Sequence, residues 1–115
     1  VVGDLAFLHD LTALVNQEPV KLKLLVINNN GGGIFSTLPQ AGVEGFEQIF
    51  GTPHGRDLFE ISKVFGVPTT EIESLKALKS FMSPPTKFEI GILQMPDRES
   101  NAALIKELAK RVNYR

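Results

Sequence analysis

Apolar positions along the chain switch repeatedly between continuous runs and helical spacing. Val1-Val2 is a short apolar stretch that stops at Gly3-Asp4. Phe7, Leu8, Leu11, Leu14 and Val15 then recur at helical spacing. They predict a helix with Asp4 as its N-cap and its end near Asn16, before Pro19. Lys21 to Ile27 is a nearly continuous apolar run, as expected of a strand buried on both faces of a parallel sheet. Strand, helix and strand in so few residues make a compact βαβ unit, for which a right-handed crossover is expected. Asn28 to Thr52 carries few regular signals beyond Phe46–Phe50. A loop this long inside a compact domain is functional or mobile.

Asp57 to Phe65 places Leu58, Ile61 and Phe65 on one helical face, with Gly66 as the C-cap. Val67 to Ile72 reads as a short strand. Ser74 to Met82 reads as a helix with Leu75, Leu78 and Met82 inward, broken by Pro84-Pro85. Phe88 to Met95 is a final strand. Ser100 to Val112 is a terminal helix with Leu104, Ile105, Leu108 and Val112 inward. The fold class is α/β, part of a doubly wound parallel sheet. The chain opens on strand-like Val1-Val2 with no preceding turn and no Met, so it is expected to be a piece truncated at its N-terminus. Its missing upstream strands would leave a sheet edge open to pairing.

Composition narrows the classes without choosing a function. The 115 residues are enough for one domain. A hydrophobic share of 43% and a charged share of 22% suit a soluble globular chain. A net charge of −1 argues against a nucleic-acid partner. Without cysteine there are no disulfides and no thiolate metal sites. No apolar run reaches the roughly 18 residues of a membrane span, and no signal peptide is recognisable. A cytoplasmic location fits.

The chemistry concentrates at two strand ends. Gly3-Asp4-Leu5-Ala6 closes the first, and Asn28-Asn29-Asn30-Gly31-Gly32-Gly33 closes the second. Ligands of open α/β sheets bind outside the carboxyl ends of strands. One carboxylate, one amide oxygen and one backbone carbonyl would form an oxygen-only site of the kind Mg²⁺ prefers, completed by phosphates and water. Asp4 alone reads more readily as a helix cap, the downstream Asn/Gly run turns it toward a ligand role, and a helix N-terminus there would itself favour a diphosphate. The asparagines alone read as turn residues. Three Asn followed by three Gly exceed what a turn needs, and the glycines permit close approach of backbone to ligand.

These words resemble those of the thiamine diphosphate enzymes, whose signature is Gly-Asp-Gly followed at an interval by Asn-Asn. Here Leu5 replaces the third glycine, and Asn29 lies 25 positions after Asp4, a slightly short interval. The longer words Gly3 to Leu11, Asn28 to Phe35, Phe46-Glu47, Phe50 to Gly55 and Pro96 to Asn101 resemble one branch, the 2-succinyl-5-enolpyruvyl-6-hydroxy-3-cyclohexene-1-carboxylate synthases of menaquinone biosynthesis. The resemblance runs over essentially all of residues 1–115, and corresponds to the C-terminal part of the thiamine diphosphate-binding domain. It implies Mg²⁺ (or Mn²⁺) held by Asp4, Asn29 and Gly31, with Asn30 and Gly32 as the alternative register. It implies thiamine diphosphate contacts at Gly3, Asp4, Leu5, Ala6, Asn29, Gly31 and Gly32. Ile34, Phe35 and Leu38 would lie beside the thiazolium ring, although on their own they read as core.

The same resemblance implies decarboxylation of 2-oxoglutarate and addition of its four-carbon remainder to isochorismate, in a homodimer or tetramer. The activating glutamate and most substrate-binding basic residues would lie outside this chain. No catalytic residue is therefore assigned, and the chain alone is expected to be inactive. His9 reads as a packing or hydrogen-bonding residue, His54 as a candidate gating residue, and Glu71 and Glu73 as a solvated face. Other readings stay open: an acetolactate-synthase-like enzyme or 2-oxoacid decarboxylase, a nucleotide-binding module without catalysis, or a structural domain with no ligand.

Overall fold

The computed structural model describes residues 1–17, 19–39 and 43–112. The chain forms two compact units, one of Val1–Asn28 with Arg56–Gln94 and the other of Asn29–Gly55 with Met95–Arg115.

The first unit is a four-stranded parallel sheet of β1 (Val2–Gly3), β2 (Lys23–Asn28), β3 (Thr69–Glu71) and β4 (Glu89–Gln94). The strand order is β1-β2-β4-β3. Its helices are α1 (Asp4–His9), α2 (Leu58–Val64) and α3 (Leu75–Phe81). The strand period of two separates the apolar side chains into two cores. Val26, Ile90 and Ile92 pack with Phe7 and Leu14 after β1 and with Leu58 of α2. Leu25 packs instead with Ile72 and with Phe81 of α3. Alternate residues of β2 thus feed opposite faces, and helices cover both. This is the expected α/β layer arrangement.

The sequence placed the elements well and several details less well. Asp4 is the first helical residue, and Gly3 takes the N-cap position without a side-chain cap. The single helix expected up to Asn16 is divided. At Asp10 the N–H donates to the Phe7 carbonyl three residues back, and the chain continues as a 3-10 helix over Leu11–Asn16. That tighter winding turns Val15 outward.

Asp57 caps α2 by accepting from the Glu60 N–H at 3.0 Å, and Gly66 follows the helix with φ +69°. Ser74 caps α3 in the same way, accepting from the Ala77 N–H. Of the residues expected inward on α3, Leu75 and Met82 are exposed, while Phe81 is buried. The reason lies in β4. Gly91 has no Cβ, and one built there would meet the Phe81 ring at 2.8 Å. The glycine leaves the slot that the ring fills, and this sets the rotation of the helix.

The second unit holds a 3-10 turn at Gly33–Thr37, a π-helical turn at Glu47–Gly51, and α4 (Arg98–Val112). α4 begins at Arg98 rather than at Ser100. Ala102 is its buried residue. Leu104, Ile105, Leu108 and Val112, expected inward, are exposed.

Candidate functional site

The first unit supplies an acid at the end of β1. Parallel pairing sets Gly3 opposite Ile27, so the residues that follow, Asp4 and Asn28, leave adjacent strand ends together. Asp4 is only 2% exposed, and its Oδ1 accepts from the Leu5 N–H at 2.8 Å. A carboxylate this buried needs compensation by donors or a cation. The N-terminus of α1 contributes its peptide dipoles there. Leu5 is half-buried, while Gly3, Ala6 and His9 are exposed.

Asn28 is buried and its Nδ2 donates to Gln94 Oε1 at 2.8 Å. The ends of β2 and β4 are tied by that amide pair, consistent with their register. Asn28 thus has a structural task. Gln94 gave no sign of its role in the sequence, because only strand pairing brings the two together.

The second unit begins at Asn29, the next residue along the chain. Asn30 has φ +60° and Gly31 φ +125°. Asn30 Oδ1 accepts from the Gly55 N–H at 2.8 Å, which engages that side chain in joining two loops. The Asn29 amide lies over Gly33, whose hydrogen could not be replaced by a methyl group without striking it. Gly31 and Gly32 are buried. A Cβ on Gly31 would overlap the Gly51 carbonyl, and one on Gly32 would overlap the Phe50 carbonyl and the Phe35 ring. The Gly32 N–H donates to the Gly51 carbonyl at 2.8 Å. The glycines are therefore required by packing against a second backbone segment, in addition to any ligand.

Within the Gly33–Thr37 turn, Ile34 is 72% exposed, Leu38 just beyond it is exposed, and Phe35 is half-buried against Phe50, with ring centroids 5.7 Å apart. Ile34 and Leu38 are thus surface residues of this unit rather than core. His54 is half-buried. Glu71 and Glu73 are exposed, as expected.

Among the described residues no cluster of three or more His, Cys, Asp and Glu could hold a metal. The expected ligand set has one carboxylate, one amide and one carbonyl, so it would not form such a cluster. Its donors are hard oxygens, and that chemistry fits Mg²⁺ with diphosphate. At the start of α4 the Ser100 N–H donates to Asp97 Oδ1 at 2.9 Å and the Ser100 hydroxyl to Oδ2 at 2.7 Å. Those bonds, the backbone one foremost, hold the Asp97 carboxyl below its ordinary value. Among the described residues no helix is long and apolar enough to cross a membrane.

No family model matches the chain. Its similarity to curated proteins is extensive. It is 35% identical over 98% of its length to the 2-succinyl-5-enolpyruvyl-6-hydroxy-3-cyclohexene-1-carboxylate synthase of Lysinibacillus sphaericus. It is 34% identical over its full length to the synthase of the same name from Rippkaea orientalis. The Thermobifida fusca synthase is 45% identical over 64% of the chain. The aligned part is 20%, 21% and 14% of these relatives, respectively. The chain thus spans about a fifth of the length of the first two.

Proposed function

We propose, from the premise that this chain is homologous to one segment of the 2-succinyl-5-enolpyruvyl-6-hydroxy-3-cyclohexene-1-carboxylate synthases, that it supplies the metal and diphosphate anchor of a thiamine diphosphate-dependent transferase of menaquinone biosynthesis. The observation that carries this reading is the buried Asp4 carboxylate at the end of β1, register-matched to the strand end from which the Asn-Gly run departs. In this reading Asp4, the Asn29 amide oxygen and the Gly31 carbonyl hold Mg²⁺, with Mn²⁺ as a substitute. Asn30, whose Oδ1 accepts from the Gly55 N–H, forms with Gly32 the alternative register.

Gly3, Leu5 and Ala6 lie at the α1 N-terminus, where backbone N–H groups favour an anionic diphosphate. Gly32 allows the backbone close to it. Ile34, Phe35 and Leu38 offer an apolar wall for the thiazolium ring and exclude water from it. Bound thiamine diphosphate supplies carbanion chemistry, by which the complete enzyme would join the decarboxylated remainder of 2-oxoglutarate to isochorismate. This chain binds and orients the diphosphate end. Its acid–base partner and the carboxylate-binding cations belong to other parts of a homo-oligomeric, cytoplasmic enzyme.

The test is calorimetric titration of thiamine diphosphate and Mg²⁺ into a full-length synthase carrying this segment, before and after Asp4→Ala. The metal-dependent binding should vanish. Unchanged affinity in the variant would remove Asp4 from the site. Binding of a nucleotide in place of thiamine diphosphate would favour a nucleotide-binding module.

A further inference from the structure

The Arg98 side chain is 13% exposed although it is charged and opens a surface helix. Its Nη2 forms an ion pair with Glu47, in the π-helical turn. Its Nη1 is buried without a hydrogen-bond partner among the described residues. A guanidinium is costly to bury, and leaving part of it without a hydrogen-bond partner adds to that cost. Nη1 lies against Gly51, where a methyl group would overlap both Nη1 and the Glu47 carboxylate.

Glu47 and Gly51 are the two ends of the π-helical turn. The Glu47 carbonyl accepts from the Thr52 N–H at 2.8 Å, and the Gly51 carbonyl accepts from the Gly32 N–H at 2.8 Å. Gly31 is packed on the same Gly51 carbonyl. Contacts therefore run without a break from Arg98 through Glu47 and Gly51 to Gly31 and Gly32. We infer that Arg98 is a positioning residue: its guanidinium clamps the Glu47–Gly51 turn and so fixes the Gly31–Gly32 backbone in the conformation that presents the Gly31 carbonyl to a metal. The last step rests on the ligand reading above, whereas the clamp itself does not.

Lysine cannot reproduce the planar fork of arginine. Arg98→Lys should therefore loosen the turn while keeping the charge. Gly51→Ala should do so by displacing the guanidinium while leaving Arg98 in place. Hydrogen exchange of this chain is the first measurement. In both variants the Gly32 and Thr52 amides should exchange at least about tenfold faster, with the β2 and β4 amides unchanged. Unchanged exchange at Gly32 and Thr52 in both variants overturns the clamp.

The second measurement is Mg²⁺-dependent thiamine diphosphate affinity in a full-length synthase carrying this segment, with Asp4→Ala as the reference. Weaker binding in Arg98→Lys and Gly51→Ala, relieved by raising Mg²⁺, supports the positioning role. Normal binding in both, with Asp4→Ala defective, overturns that role and leaves the ligand reading standing. Normal binding in all three variants brings down the ligand reading itself.

Discussion

Three adjacent asparagines divide their work, and single substitutions separate them. Asn28 donates to Gln94 and joins two strand ends. Asn30 accepts from Gly55 and joins two loops. Asn29 is the residue proposed to reach the metal. In a full-length synthase Asn29→Ala should reduce Mg²⁺-dependent thiamine diphosphate affinity in the direction of Asp4→Ala, but less, since it removes an uncharged ligand. Loss of an outer-shell partner typically costs roughly 10–100-fold in metal affinity, and a direct ligand should reach at least that range. Asn30→Ala should cost less than Asn29→Ala. The reverse order, measured by calorimetry, would move the site to Asn30 and Gly32. Asp4, the asparagines and the glycines were legible in the sequence because these residue types are rarely clustered without a task. The roles of Gln94, Glu47 and Arg98 were not, although Phe46-Glu47 and Pro96 to Asn101 stand out as family-like words. Each acts through a partner that is distant in sequence, chosen by strand register or by how a helix start meets a turn.

Elements were easier to locate than to orient. Ser74, Asp57 and the glycine after α2 marked helix limits correctly because capping is local chemistry. The inward face of α3 was missed because Gly91, on another element, decides which side chain can enter. Gly91→Ala should therefore destabilise the chain by about 1–3 kcal/mol through overpacking against Phe81. Denaturant titration should show the loss, and Gly91→Ala combined with Phe81→Leu should recover part of it. A neutral Gly91→Ala would mean that the ring can move aside freely. α4 starts at Arg98, ahead of the expected Ser100, because Asp97 caps it by accepting from the Ser100 N–H. Asp97 has its pKa lowered by bonds from Ser100, so its ionised form favours the folded helix start. That contribution is complete above its ordinary value of 3.8 and disappears as pH falls through the lowered value. A carboxyl titration followed by NMR should give Asp97 a midpoint below 3.8 and show the first turn of α4 fraying as it protonates. A midpoint at or above 3.8 contradicts the capping role.

At the scale of the molecule, the parallel α/β layer was readable because β2 and β4 are apolar on both faces, which only a doubly covered sheet tolerates. The second unit was not readable as a body of its own, since short turns joined to a late helix leave no periodic signature. The same architecture bears on what the chain can do alone. In the proposed function it brings Asp4, the Asn-Gly run and a helix N-terminus to Mg²⁺ and a diphosphate. It covers about a fifth of the length of its relatives. In the proposed function the aminopyrimidine half of the cofactor is held elsewhere. A ligand gripped at one end loses the preorganisation on which strong binding depends. The 115-residue chain should therefore fold around its two sheet-face cores and bind thiamine diphosphate with Mg²⁺ more weakly than micromolar. Isothermal calorimetry on the isolated chain, alongside a full-length synthase, measures both affinities under one condition. Micromolar or tighter binding by the chain alone, or any consumption of 2-oxoglutarate, would show that these residues form a complete site rather than the diphosphate half of one.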